Sequence, residues 1–142
     1  MTQPDYTWAD VLENEDVARL YLEGRRWPNG PRCAHCGGDN VGRLVGGSVR
    51  KGVFKCRECR RPFTVTVATG IVAGHLPLNK VAAAAFMFAA GWSTARTQRS
   101  LEISYNAAWR LSQKRALLIS LVGVPDPAPD PASLYPSIGG SL

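Results

Sequence analysis

No apolar run in the 142-residue sequence is long enough to cross a bilayer. The longest, VAAAAFMFAA at residues 81–90, suits a buried helix. The N-terminal stretch MTQPDYTWADVLENED is acidic and has no apolar signal core, so a cytoplasmic, reducing setting is expected. Carboxylates are scarce in the middle of the chain: residues 31–125 hold only Asp39, Glu58 and Glu102. Only four cysteines and two histidines occur, which leaves few side chains for soft-metal chemistry. What remains is near the average for a globular protein, with 45% hydrophobic and 20% charged residues. The length fits one ordinary domain or two small modules, and modules that small often need a staple.

The formal charge of +6 is unevenly spread. Residues 1–30 carry three basic and six acidic side chains, whereas residues 31–125 carry fourteen basic and three acidic. Residues 126–142 add only Asp126 and Asp130. So basic a middle segment suits a polyanion, because each neutralised phosphate releases counterions. The alternative is a solvated basic surface with no partner.

The cysteines fall in two pairs, CAHC at Cys33 and Cys36 and CREC at Cys56 and Cys59, with nineteen residues between the pairs. Two such knuckles at this spacing match a four-cysteine zinc site. Each tight turn puts two sulfurs on one side of the ion, and an intervening hairpin brings the second knuckle round to complete a tetrahedron. Gly37 and Gly38 follow the first knuckle, where positive φ is easiest for glycine. Lys55, Arg57, Arg60 and Arg61 crowd the second and offset the charge of a tetrathiolate. Disulfides do not suit a reducing compartment. A redox CxxC wants a βαβ context that is not visible here, and four unrelated buried thiols would not explain the doubled spacing. The expected cofactor is therefore one structural zinc, with all positions filled by sulfur and none open for a catalytic water. His35 reads as an exposed knuckle residue, and His75 receives no role.

Residues 7–23 have helical periodicity, with Thr7 as N-cap, Asp10 three residues on, and Gly24 as the stop. RWPNGPRC then leads into the first knuckle through turn residues. Strands are expected at 41–45, 48–56 and 62–67, the last alternating Phe63, Val65 and Val67 with threonines. So small a sheet would be marginal without its ion. Residues 70–77 read as a loop, and an alanine-rich buried helix begins near Leu78 and ends at Gly91.

Two more helices are expected, at about 93–101 and 104–121, with Ser93 or Thr94 and then Ser104 as N-caps. Glu102 and Ile103 form the turn, with glutamate where glycine is usual. With the preceding helix this makes a tri-helical helix-turn-helix. Leu101, Ile103, Ala108, Leu111 and Leu118 supply its inner face. The outward face of the last helix carries Tyr105, Asn106, Arg110, Gln113 and Lys114, rich in side chains that pair with base edges in the major groove. Arg96, Arg99 and Arg115 are candidates for phosphates. The competing reading is an exposed polar face. Trp109 is assigned to the core on the burial habits of tryptophan. The tail, PDPAPDPASLYPSIGGSL, holds five prolines and is read as a flexible segment without helix.

The order of RWPNGPRCAHCG, FKCRECRRPFTVTVATG, LPL opening a helix, and NAAWRL resembles the N-terminal part of bacterial zinc-ribbon insertion-sequence transposases, over roughly residues 8–120. The resemblance implies that Cys33, Cys36, Cys56 and Cys59 hold zinc. It implies too that the helix around residues 105–114 reads the terminal inverted repeats of a mobile element. In that family a catalytic domain with an acidic metal-binding triad follows. Here only Asp126 and Asp130 follow, with no third carboxylate and no strand pattern to fix them.

The combined expectation is an α+β chain: an N-terminal helix and lead-in (1–30), a zinc ribbon of about three short antiparallel strands (31–70), a helix-turn-helix (77–122) and a tail (123–142). Its expected partner is double-stranded DNA, with no membrane, and with a homodimer or a separate catalytic partner to complete it. It is not expected to be an enzyme by itself. A transposase-derived transcriptional regulator and a zinc-ribbon protein-interaction module are the rival readings.

Overall fold

The computed structural model describes residues 7–71, 76–125 and 127–134. The expected loop at 70–77 lies partly outside them (72–75, including His75), as do Asp126 and residues 135–142 of the tail. No helix among the described residues is long and apolar enough to cross a membrane.

The N-terminal periodic stretch forms two helices, α1 (Trp8–Glu13) and α2 (Glu15–Arg26), where one was expected. Thr7 caps α1 in a capping box with Asp10. Asn14 makes the break. Its backbone is extended, and its side chain accepts hydrogen bonds from the Asp16 and Val17 amides at 2.9 and 3.1 Å. A side chain that offers the backbone such partners ends one helix and caps the next. The expected stop at Gly24 is also corrected, because α2 runs on to Arg26. Tertiary anchors hold that last turn. Arg25 donates to the Leu121 and Ser120 carbonyls at 3.0 and 3.1 Å, and Arg26 donates to the Val65 carbonyl at 2.6 Å.

The sheet is antiparallel in the order β1 (Val41–Arg43), β2 (Phe54–Cys56), β3 (Pro62–Phe63). Val41 lies opposite Cys56, and Phe54 lies opposite both Arg43 and Phe63. All three strands are shorter than expected. Gly46 and Gly52, at φ 148° and 87°, turn the chain between β1 and β2. After Phe63 the threonines fold back: Val67 N–H donates to the Thr64 carbonyl at 3.1 Å, and the Thr69 hydroxyl donates to the Thr66 carbonyl at 2.6 Å.

The centre of the helical part is α3 (Leu78–Ala89), buried from Val81 to Phe88. Helices α1, α2, α4, α5, α6 and α7 all touch it. Its small alanine side chains let neighbours approach from every side, and Asn79 ties it to the Leu12 carbonyl at 3.3 Å. Left-handed Gly91 ends it. Helix α4 (Thr94–Leu101) is capped by Ser93, and α5 (Tyr105–Gln113) by Ser104.

The expected single helix over 104–121 is broken at Lys114 into α5 and α6 (Arg115–Val122). The Ser112 hydroxyl donates to the Trp109 carbonyl at 2.7 Å, a back-bond of the kind that bends helices. Lys114 N–H then closes a tighter turn onto the Leu111 carbonyl. The tail also departs from expectation. Residues Pro131–Leu134 form a short helix, α7, against α1 and α3. Asp130 accepts from the Ala132 amide at 3.1 Å, and proline is well suited to a first helical position.

Two apolar clusters result. The larger joins the helices, and the smaller gathers Cys33, Phe54, Cys56 and Phe63. Trp27 borders both.

Candidate metal centre and basic helical surface

The knuckles are built alike. Cys33 N–H donates to the Gly38 carbonyl at 2.8 Å, and Cys56 N–H donates to the Arg61 carbonyl at 3.2 Å, five residues on in each case. The residue after the second cysteine is left-handed in both, Gly37 at φ 77° and Arg60 at φ 62°. The doubled glycine flagged the first of these turns, whereas an arginine gave no such signal for the second. Amide N–H groups converge on the leading sulfur of each knuckle: His35 and Cys36 on Cys33 at 3.3 and 3.4 Å, and Cys59 on Cys56 at 3.4 Å.

The four sulfurs lie within 4.8 Å of one another. Cys33 and Cys59 are 3.5 Å apart, and Cys36 and Cys56 are 3.6 Å apart, so the close pairs run between the knuckles. A tetrahedral zinc with bonds of ~2.3 Å needs sulfurs about 3.8 Å apart. The donor set therefore fits one structural zinc, with no ligand position left over. Protonation points the same way. Burial pushes the Cys33 thiol up, but the Cys36 and His35 amides and the Cys59 side chain pull it further down, to about 6. For Cys36 the hydrogen bond with the Gly38 backbone pulls downward, but the Cys56 and Cys33 sulfurs outweigh it and push it up to about 12. The Cys59 amide lowers Cys56. Cys59 is raised, because burial and the neighbouring sulfurs outweigh its hydrogen bond with the Arg61 backbone. Without a cation, then, each knuckle favours one thiolate. A divalent ion is what lets all four ionise.

Stacked Phe54 and Phe63 back the site, with centroids 5.5 Å apart, and Trp27 meets both edge-on. His35 is exposed, with Nε2 3.2 Å from the Pro62 carbonyl. Arg57 donates to the Asn40 side chain at 3.2 Å and lies across Gly42, where any Cβ would strike its guanidinium. Lys55, Arg57 and Arg60 line one cavity with Arg43, making this face of the ribbon basic.

Helices α3, α4 and α5 are in mutual contact. Glu102, at φ 55° and ψ 45°, turns α4 into the approach to α5. Ile103 N–H donates to the Gln98 carbonyl at 3.3 Å, and the Gln98 side chain answers to the Ile103 carbonyl at 2.9 Å. The left-handed turn is thus built with glutamate where glycine is usual.

Ala108, Leu111 and Ser112 form the inner face of α5. Tyr105, Asn106, Arg110 and Gln113 are all exposed and span an arc of about 140° on the other side, at about 100° per residue. Lys114 is exposed at the break, and Arg99 is exposed on α4. Two of the predicted cations are partly engaged. The Arg96 guanidinium stacks 3.6 Å over the Trp92 ring, with Nε buried and unpartnered among the described residues. Arg115 donates through Nε to the Ser112 carbonyl at 3.2 Å and lies 5.1 Å from the Phe88 ring. Trp109 is not in the core, contrary to expectation. It is 48% exposed and lies within the same arc as Tyr105 and Gln113. The spacing of Ala108, Leu111 and Ser112 turns it outward.

Residues 13–62 match the family model of the transposase zinc-ribbon domain. The match covers α2, both knuckles and the strands as far as the start of β3. Over these residues the resemblance read from the sequence holds. No curated protein and no solved structure matches the chain.

Proposed function

We propose that this chain is a double-stranded DNA-binding protein related to transposases, in which α4 and α5 act as a helix-turn-helix and α5 enters the major groove. The zinc holds the ribbon and does no chemistry. The observation that carries the reading is the outward face of α5, where Asn106, Arg110 and Gln113 stand exposed together. These are side chains that make bidentate contacts to base edges. Charge supports it as well. Residues 78–122 hold six basic side chains and a single carboxylate, Glu102. Arg99, Lys114, Arg96 and Arg115 are the phosphate candidates, the last two through whatever donors their stacking leaves free. Tyr105 opens the helix.

The match to a transposase zinc-ribbon domain favours the ends of a mobile element as the target, over a promoter or a protein partner. On this reading strand cutting and joining belong to another domain or chain. Asp130 is occupied at the start of α7, a poor setting for a two-metal site. A cytoplasmic, nucleoid-bound location and assembly as a homodimer or with a catalytic partner follow from the same reading.

The test is Arg110→Ala, measured on a duplex selected by the chain from a randomised pool and on random DNA. A base contact predicts a loss of about 1–3 kcal/mol on the selected duplex and little on random DNA. Equal losses on both would place Arg110 on the backbone. Wild-type affinity that hardly changed across a salt titration would refute the phosphate contacts altogether.

A further inference from the structure

We propose that Trp109, with Tyr105 beside it, is an apolar reader of thymine methyl groups at the centre of the α5 face. The proposal rests on the reading that α5 enters the major groove. It assigns a specificity role to a residue otherwise expected in the core.

Trp109 is unlike the other tryptophans. Trp8 packs edge-on against Tyr21 and Phe86, and Trp27 packs against Phe54 and Phe63. Trp92 is buried beneath Arg96. The Trp109 ring has no aromatic or cation partner and its indole N–H no acceptor among the described residues, and its exposure is 48%. Tyr105, one turn earlier, is 54% exposed. The two rings form an aromatic stripe at i and i+4, flanked by Asn106 and Gln113 and bounded by Arg110.

Exposed aromatic pairs commonly mark interfaces, and charge selects the partner here. Arg110 lies on α5 itself, Lys114 ends it, Arg99 and Arg115 lie on the neighbouring α4 and α6, and the nearest carboxylate in the sequence is Glu102. A second copy docked face to face would set cations against cations, which disfavours association. A polyanion meets the same surface with complementary charge. Within a B-form major groove the apolar feature on the base edges is the thymine C5 methyl, so an aromatic side chain among hydrogen-bonding ones has that group to contact. Asn106, Gln113 and Arg110 would then read donors and acceptors while the rings read methyls.

The experiment uses the full, zinc-loaded chain and the selected duplex, remade with each thymine in turn replaced by deoxyuridine. This removes only the methyl. Wild type should lose about fourfold in affinity at one or two positions, roughly what burying one methyl is worth. In Trp109→Ala that penalty should vanish while the penalties at other bases remain. Because about half of the residue is buried and its removal costs some stability, affinities are compared well below the melting temperatures of both chains. Wild-type indifference to every uracil substitution would overturn the inference, and so would an undiminished penalty in Trp109→Ala. A dimer that dissociates in Trp109→Ala, without any uracil effect, would overturn it in favour of self-association. Failure of wild type to enrich any duplex would instead overturn the DNA-binding reading beneath it.

Discussion

Glu102 offers a perturbation whose effect can be worked out from the backbone. It is the only carboxylate in residues 78–122, it is exposed, and it sits at φ 55° in the turn between α4 and α5. A non-glycine residue in that region costs roughly 1–2 kcal/mol. Glycine avoids the clash, but its extra freedom in the unfolded chain takes back about 0.5–1 kcal/mol. Among the described residues the side chain has no hydrogen-bond or ion-pair partner to lose. Glu102→Gly should therefore stabilise the protein by about 0.5–1 kcal/mol and raise the melting temperature by about 2 °C for a chain of this size. Glu102→Gln is the control, since it keeps the strain and removes only the charge. Both variants should bind random DNA about twofold more tightly at low salt, because one repulsive charge has gone. Only the glycine variant should melt later. If glycine and glutamine melted alike, the left-handed turn would be wrong as described.

Two further outcomes follow from the metal centre. Metal analysis should find one zinc per chain, and Cys56→Ser, at a fully buried position opposite Val41, should lose it; full occupancy in that variant would remove Cys56 from the ligand set. At pH 7 the metal-free set holds Cys33 as thiolate and Cys36 protonated, so zinc loading must expel protons and affinity must fall as pH falls. Calorimetric binding enthalpies should accordingly vary with the ionisation heat of the buffer, and a flat dependence would refute this sharing of protons.

The metal site was legible because chemistry constrains spacing, and two CxxC pairs nineteen residues apart leave few alternatives. The caps Thr7 and Ser104 were legible for a similar reason, and Ser93 as one of two candidates with Thr94, since each is a small polar side chain at the head of a helical stretch. The breaks at Asn14 and Lys114 were not. Apolar periodicity continues through both, and what interrupts the helix is one side chain's hydrogen bond to the backbone. Trp109 teaches a different lesson. Once Tyr105, Asn106 and Gln113 are placed outward, the helical period puts position 109 among them. Residue type argued for burial and phase argued against it, and phase prevailed. Arg60 in a left-handed turn is set by what surrounds it, which no local pattern records, whereas Asp130 followed by Pro131 was a local helix start overlooked in a proline-rich tail.

The zinc lies far along the chain from α5, yet packing connects them through α2. Phe54 and Phe63 behind the sulfurs meet Trp27 at the end of that helix. Arg43 of β1 pairs with buried Glu23, and Arg26 reaches the Val65 carbonyl after β3. From its other side α2 grips the end of α6, through Tyr21 to the Val122 carbonyl at 2.7 Å and Arg25 to the Leu121 and Ser120 carbonyls. Helix α6 in turn joins α5 at Lys114, where Arg115 fastens the last turn through the Ser112 carbonyl. Each link is a side chain meeting a ring, a carboxylate or a carbonyl on a rigid element, so the ribbon is braced against the helices. A small sheet that owes its shape to an ion can then set the direction in which its basic face, with Lys55, Arg57 and Arg60, stands relative to α5. Four sulfurs leave the ion no open position, so its part in this arrangement is to hold the ribbon that α2 braces.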